Sequence, residues 1–351
     1  MGLLTHLQAT ASYPNRIISS LILNIVCFTL LAISTVTFQH VSAELYFAFL
    51  MLIVFSASLA TGLCQNGVFA YVAGSGVGEY TQAIMTGQGV AGVLPCIAQI
   101  ASVLSVPEQD SRKGATQESP KSAFAYFLTA TGVSALALFA FLFLLRQHSS
   151  STMAKPTIEG LDSPEQDSPP SSKKSIPFLA LFLKLRYLAL AVAVTFAITM
   201  LVFPVFTQAI PSVQPPSTAP RLLKPACFIP LAFLFWNTGD LLGRLSTLIS
   251  SISLTSHPRI LFLLSILRTG FIPLYYLCNM GGQGAVVNSD LFYLVVVQFL
   301  FGLSNGYLGS SCMMGVEEWV DEEEREAAGG FMGLWLVGGL TVGSLGSFGY
   351  G

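Results

Sequence analysis

Residues Trp236-Asn-Thr-Gly-Asp-Leu-Leu-Gly-Arg244 lie inside an apolar run that extends from Cys227 to about Ile252. Asp240 and Arg244 are four positions apart and share one face of a helix, with Asn237 a turn earlier on the same face. A charged side chain at the centre of a bilayer costs roughly 2.5–3.5 kcal/mol on insertion scales. A chain with so few other charges in its apolar runs therefore places these residues in a polar cavity between helices. The competing reading is a structural ion pair that locks two helices together.

The rest of the chain makes the membrane setting plain. Of 351 residues, 53% are hydrophobic and 10% charged, whereas soluble domains carry about 25% charged residues. Apolar runs of about 20 residues, each long enough for a hydrocarbon core of roughly 30 Å, recur along the whole length. They cover about 17–38, 45–72, 80–105, 122–145, 185–208, 227–252, 260–278, 291–314 and 327–348. The expected fold is an all-α multi-pass membrane protein with nine spans. The 31 glycines suit closely packed helices, and two Gly-xxx-Gly pairs, Gly329/Gly333 and Gly339/Gly343, mark the last span for close contact.

Several function classes fall away. A net charge of −2 gives no nucleic-acid footprint. The six cysteines fall in or beside apolar runs without metal-ligand spacing, and read as small buried hydrophobes. The chain has no Gly-x-Ser-x-Gly, His-Glu-x-x-His or P-loop pattern, and His6, His40, His148 and His257 all lie outside the spans. No enzyme activity and no cofactor are expected.

One long polar segment, Gln147–Ser175, rich in Ser, Pro and charge, interrupts the apolar runs. It divides the chain into residues 1–146, the remainder of an N-terminal bundle with four spans; 147–181, a linker; and 182–351, a C-terminal bundle with five spans. Placing the linker in the cytoplasm puts Arg16, Arg146, Lys184, Arg186 and Arg259 on the inside, as the positive-inside rule prefers. The carboxyl terminus then lies on the opposite face.

Polar side chains recur within the spans: Gln65-Asn66, Gln82, Gln88, Asn237, Asp240, Arg244, Arg268 and Asn305. Any single amide is more often interhelical glue, worth about 0.6 kcal/mol on average. Together with one Asp and two Arg, the set reads as a polar path through the bundle. Gln65 and Asn305 both donate and accept hydrogen bonds, which suits an uncharged polar solute with ring nitrogens and hydroxyls. Arg268 is alternatively a structural partner for Asp240, since a buried charge needs one.

An ordered set of motifs then resembles the equilibrative nucleoside transporters, in a fungal-type form. The matching stretches are Gln65-Asn-Gly, Tyr80-Thr-x-Ala-Ile-Met-Thr-Gly-Gln-Gly-Val-Ala-Gly92, Phe203-Pro-Val-Phe-Thr207, Trp236-Asn-x-x-Asp-Leu-Leu-Gly-Arg244, Arg268-x-x-Phe-Ile-Pro273, Ser304-Asn-Gly-Tyr-Leu308 and Glu326-Ala-Ala-Gly329. The resemblance implies a major-facilitator-like, two-bundle fold of eleven helices, six plus five, of which nine are present here. By the same resemblance the chain starts at the end of the family's second helix and lacks the first two, the first of which supplies residues that contact the base. The resemblance also implies facilitative transport of nucleosides, or in some members nucleobases, by alternating access. Gln65, Asp240 and Arg244 are implied to line the nucleoside site with Asn237 adjacent, while Gln88, Arg268 and Asn305 belong to the polar path or its structural frame.

Two alternatives stay open at this level. A proton-coupled carrier would use Asp240, although Arg244 one turn away favours the charged carboxylate. A truncated, non-transporting membrane protein acting as an interaction partner is the other. The expected partners are a nucleoside and the lipid bilayer, and no nucleic acid. Oligomeric state is not legible, and the membrane is either an endomembrane of vacuolar or lysosomal kind or the plasma membrane.

Overall fold

The computed structural model describes residues 13–38, 41–105, 120–153, 177–215 and 217–350. The amino-terminal residues 1–12 and the greater part of the Ser/Pro-rich linker lie outside the described residues. The helices are α1 (Tyr13–Thr37), α2 (Ala43–Ala73), α3 (Gly78–Ser105), α4 (Pro120–Met153), α5 (Phe178–Ala209) and α6 (Pro225–Ser246). They continue with α7 (Pro258–Leu267), α8 (Phe271–Tyr276), α9 (Leu300–Met314) and α10 (Arg325–Ser347). A single tight turn at Arg268–Gly270 joins α7 to α8, and a wide π-helical stretch, Phe292–Phe299, leads directly into α9. Among the described residues, nine helical stretches are long and apolar enough to cross a membrane, α7 with α8 forming one of them. The all-helical, multi-pass architecture expected from the apolar runs is therefore the one observed.

The boundaries differ at α4, which runs on to Met153 rather than ending near 145, and at α5, which begins at Phe178 rather than near 185. The sequence reading starts this latter span only after Lys184, with Arg186 at its very beginning. In the structure they stand on the early turns of a helix whose other face is apolar: Leu181 and Leu185 are buried, Phe178 packs edge-on against Phe331, and Phe182 stacks on Trp335.

The chain divides into two compact units. The first comprises residues 1–68 and 116–176. Within it α1 packs on α4, and Arg16 Nη1 donates to Asn66 Oδ1 of α2 at 3.0 Å. Large side chains such as Phe55, Val133, Leu136 and Phe139 point outward, as they should where the surrounding solvent is lipid.

The second unit comprises residues 69–115 and 177–351. Lipid tails are as apolar as leucine, so a hydrophobic driving force does not hold its helices together; close packing and hydrogen bonds do. Glycines make that packing. A Cβ on Gly239 or Gly243 of α6 would collide with the backbone at Phe299 and Leu303, while one on Gly302 or Gly306 would collide with the backbone at Trp236 and Asp240. The two Gly-xxx-Gly ridges therefore face each other, and α6 lies backbone against backbone with α9 and the π-helical turn before it. In the same way Gly339 and Gly343 of α10 rest on Ala193 and Ala197 of α5, which is the close contact expected of the last span. Aromatic rings fill the remaining space, with Phe203 stacked on Trp236 at 4.0 Å between centroids and Phe301 packed against Tyr275 and Phe271.

This packing makes a simple forecast. Gly302→Ala drives a methyl into the α6 backbone and should lower thermal stability in detergent by the equivalent of about 1–3 kcal/mol. Gly338→Ala, on α10 with nothing within 4 Å of the added carbon, should leave it unchanged or raise it by up to about 1 kcal/mol. Equal melting temperatures for the two variants would contradict the close α6–α9 packing.

Candidate functional site

The face of α6 that carries Gly239 and Gly243 also carries Asp240 and Arg244, so the close approach to α9 delivers these charges into the interior. Asp240 and Arg244 are 3% and 5% exposed, too little for water to solvate either ion. Their charges are met inside the bundle. Arg244 Nε donates to Asp240 Oδ2 at 2.7 Å, and Asn305 Nδ2 of α9 donates to Asp240 Oδ1 at 2.6 Å. Both carboxylate oxygens are thus engaged.

From Asp240 the network runs in two directions. On one side Asn305 Oδ1 accepts from Thr199 Oγ1 of α5 at 2.7 Å, and that hydroxyl accepts from Arg268 Nη2 at 3.0 Å. Arg268 is inserted from the break between α7 and α8. Its Nε donates to Ser304 Oγ at 2.9 Å, its Nη1 to the Thr195 carbonyl at 2.6 Å, and its guanidinium lies over the Phe301 ring. The sequence offered Arg268 as a direct partner of Asp240; the structure links them through Asn305 and Thr199 instead.

On the other side Arg244 Nη1 reaches α3, donating to the Met85 carbonyl at 2.9 Å and to Gln88 Oε1 at 3.2 Å. Gln82 completes this contact. Its Nε2 donates to the Arg244 carbonyl at 2.6 Å, and its Oε1 accepts from Thr247 Oγ1 at 2.8 Å. Gly89 and Gly92 let α3 approach, since a Cβ at either would strike Leu241, Arg244 or Asn237.

The network divides into closed and open groups. Asp240, Asn305, Gln82 and Arg268 are buried, and each of their polar side-chain atoms has at least one partner. Among the described residues, Arg244, Gln88 and Asn237 keep unused capacity where α3 meets α6, while the Thr195 hydroxyl and the Trp236 indole N–H are buried without a partner. Arg244 Nη2 has no acceptor, the Gln88 side chain is exposed and bonded only through Oε1, and half-buried Asn237 donates to the Phe233 carbonyl and, more weakly, to Cys96 Sγ, leaving its Oδ1 without a donor. These groups come from α3 and α6. Gln65 is half-buried on the part of α2 that belongs to the first unit.

Thr199, Thr195 and Ser304 were not singled out by the sequence reading. Thr195 and Thr199 are four apart in an otherwise apolar run, and that polar stripe is the signal that would have found them. A second buried polar knot escaped as well. Gln298, in the π-helical turn, donates to Thr207 Oγ1 at 2.8 Å and to Tyr293 Oη at 2.6 Å, and accepts from Tyr275 Oη at 3.1 Å.

The nine apolar stretches and a chain of membrane-embedded ions satisfied by side chains from five helical segments define a polytopic membrane protein of the carrier kind. The chain belongs to the nucleoside transporter family: that family's model matches residues 50–350. Its relatives include nucleoside transporter FUN26 of Saccharomyces cerevisiae, 31% identical over 96% of this chain and 70% of the relative. Equilibrative nucleoside transporter 1 of Mus musculus is 29% identical over 97% of this chain and 77% of its own length. The human protein of the same name is 29% identical over 95% of this chain and 75% of its own.

The closed groups should behave as structure. Gln82→Met keeps the volume and removes both hydrogen bonds that tie α3 to the end of α6, while Thr247 Oγ1 still donates to the Arg244 carbonyl at 2.7 Å. A loss of about 1–3 kcal/mol in stability is expected, with substrate affinity unchanged in the protein that remains folded. Weakened substrate affinity at unaltered stability would place Gln82 among the open groups instead.

Proposed function

We propose that this protein carries nucleosides across its membrane, down their gradient, by alternating access. We further propose that Arg244, Gln88 and Asn237 are the groups the solute meets in this unit. The observation that carries the reading is the set of unused hydrogen-bonding groups on α3 and α6 where the two helices pack, set in a chain that belongs to a nucleoside transporter family. A nucleoside presents hydroxyls, carbonyls and ring nitrogens without net charge. A guanidinium edge with two free N–H groups, an amide N–H₂ and an amide oxygen complement those functions and impose direction on them. Neutral hydrogen-bonding groups and a guanidinium already compensated by Asp240 suit an uncharged solute.

Asp240 has a different task in this proposal. Its oxygens are occupied by Arg244 and Asn305, so it acts as a positioning residue, fixing the guanidinium so that Nη2 stays available. Gln65 remains a proposed contributor from the first unit, on the strength of the family resemblance. The division into two bundles that exchange access to the site belongs to the same proposal.

Uptake of labelled uridine into proteoliposomes tests this. Uptake should saturate and should equilibrate without a proton gradient. Gln88→Ala and Asn237→Ala should each raise KM by about three- to tenfold, corresponding to roughly 0.6–1.4 kcal/mol, while leaving maximal rate and melting temperature near those of the parent. Arg244→Lys replaces a planar fork by a point charge and should cost at least about tenfold in kcat/KM. Non-saturable uptake, or an unchanged KM in both alanine variants, would overturn the proposal.

A further inference from the structure

A cavity of about 630 Å³ lies away from the Asp240–Arg244 network, at the end of the second unit where α5 begins. Its walls are the early turns of α5, the segment Ser256–Ile260 that leads into α7, and Trp319 from the connection between α9 and α10. Four basic side chains line it: Lys184, Arg186, His257 and Arg259. Their situations differ. Lys184 Nζ is held by Asp321 Oδ2 at 3.0 Å and Glu324 Oε2 at 2.5 Å, so its charge is already met and it serves as part of the rim.

Arg186 and Arg259 are not so engaged. Both are exposed, and among the described residues neither has a carboxylate within ion-pair distance. Instead both guanidiniums gather on one ring, with Arg186 Cζ 5.1 Å and Arg259 Cζ 5.6 Å from the centroid of Tyr187. Stacking on an aromatic ring leaves the edge N–H groups free. Two like charges held against one ring repel each other, and an anion bridging them removes that repulsion while taking up their donors. The amino terminus of α7, which has no side-chain cap, adds its positive end beside His257.

The apolar surroundings indicate what kind of anion fits. Leu183 is exposed at the cavity wall, and Ile260, Leu263 and Leu267 form an exposed strip along one face of α7 leading away from it. Trp319 is 43% exposed and Tyr187 half-buried, amphipathic rings of the kind that sit at headgroup level. A basic recess beside helices, aromatic at its rim and continuous with an apolar track, has the form of a headgroup site with a place for an acyl chain. The loop-charge argument puts this end on the cytoplasmic side, the leaflet that carries anionic lipids.

We propose that this cavity binds the phosphate headgroup of an anionic phospholipid, with Arg186 and Arg259 as its ligands, His257 beside them, and the acyl chain lying along Ile260, Leu263 and Leu267. Arginine forks bind phosphate oxygens in bidentate fashion. The bound lipid would tie the start of α5 to the start of α7, the same helices that supply Thr199 and Arg268 to the central network.

The test measures binding of dioctanoyl phosphatidic acid to the purified protein by native mass spectrometry and by thermal shift. Dioctanoyl phosphatidylcholine and free glycerol phosphate are the comparison arms. Phosphatidic acid should bind at least about tenfold more tightly than either and raise the melting temperature. Arg186→Gln with Arg259→Gln should erase that preference. Both side chains are exposed, so the fold should persist; should the double variant fail to fold, Arg259→Lys, which keeps the charge and loses the fork, should show an intermediate affinity. Equal affinity for phosphatidylcholine would overturn the proposal. Binding of glycerol phosphate as tight as that of the lipid would replace it with a free-anion site. A double variant that binds like the parent would remove the two arginines from it.

Discussion

The contact that everything else depends on is the meeting of Asp240 with Asn305 and Arg244 at the point where α6 and α9 touch backbone to backbone. A carboxylate and two guanidiniums inside a low-dielectric bundle are tolerable only if each finds a partner. The partners here are spread over α3, α5, α6, α9 and the α7–α8 break. No pair of helices satisfies the ions alone, so the polar network and the helix packing require each other. Gly239, Gly243, Gly302 and Gly306 bring the backbones close enough for Asn305 to reach Asp240, and the hydrogen bond in turn selects that register.

The same arrangement separates stability from recognition. Asp240 and Asn305 are bonded at both of their polar side-chain atoms, and a solute could engage them only by disturbing bonds already made. Groups at the network's α3–α6 margin have capacity left over. In the proposed site Arg244 is a fixed donor edge, held by Asp240 from behind and by the Met85 carbonyl from the side. Such preorganisation matters because every side chain that must be immobilised on binding subtracts roughly 0.5–1.5 kcal/mol from affinity.

How much of this was legible in the sequence follows from the physics of each feature. The spans were readable because hydrocarbon thickness sets their length, and the charged stretch around Asp240 was readable because ions there are costly. The start of α5 was displaced because charge alone cannot distinguish a loop from the exposed side of a helix. The break at Arg268 and the π-helical turn at Phe292–Phe299 leave little mark on hydrophobic periodicity. The hydrogen-bond partners were out of reach for a different reason: Gln82 and Arg244 are 162 positions apart, and no local spacing encodes that meeting. The opposed glycine pairs on α6 and α9 were present in the sequence at i, i+4 spacing, but spacing does not say which pair faces which.

The central claim is that Asp240 matters for transport because it positions Arg244 for a solute, beyond its part in holding the bundle together. The reciprocal exchange Asp240→Asn with Asn305→Asp tests it most directly. Asp240→Asn alone sets an amide N–H₂ against a donor, either Arg244 Nε or Asn305 Nδ2, and should destabilise. In the double variant the new amide can donate to the new carboxylate, and Thr199 still has an acceptor, so the network closes again with its negative charge moved to α9. The measurement is melting temperature together with uridine uptake normalised to folded protein. The account predicts that the double variant regains most of the stability lost in Asp240→Asn while uptake stays depressed by at least about tenfold. Recovery of uptake in step with stability would contradict it and leave the pair a purely structural one.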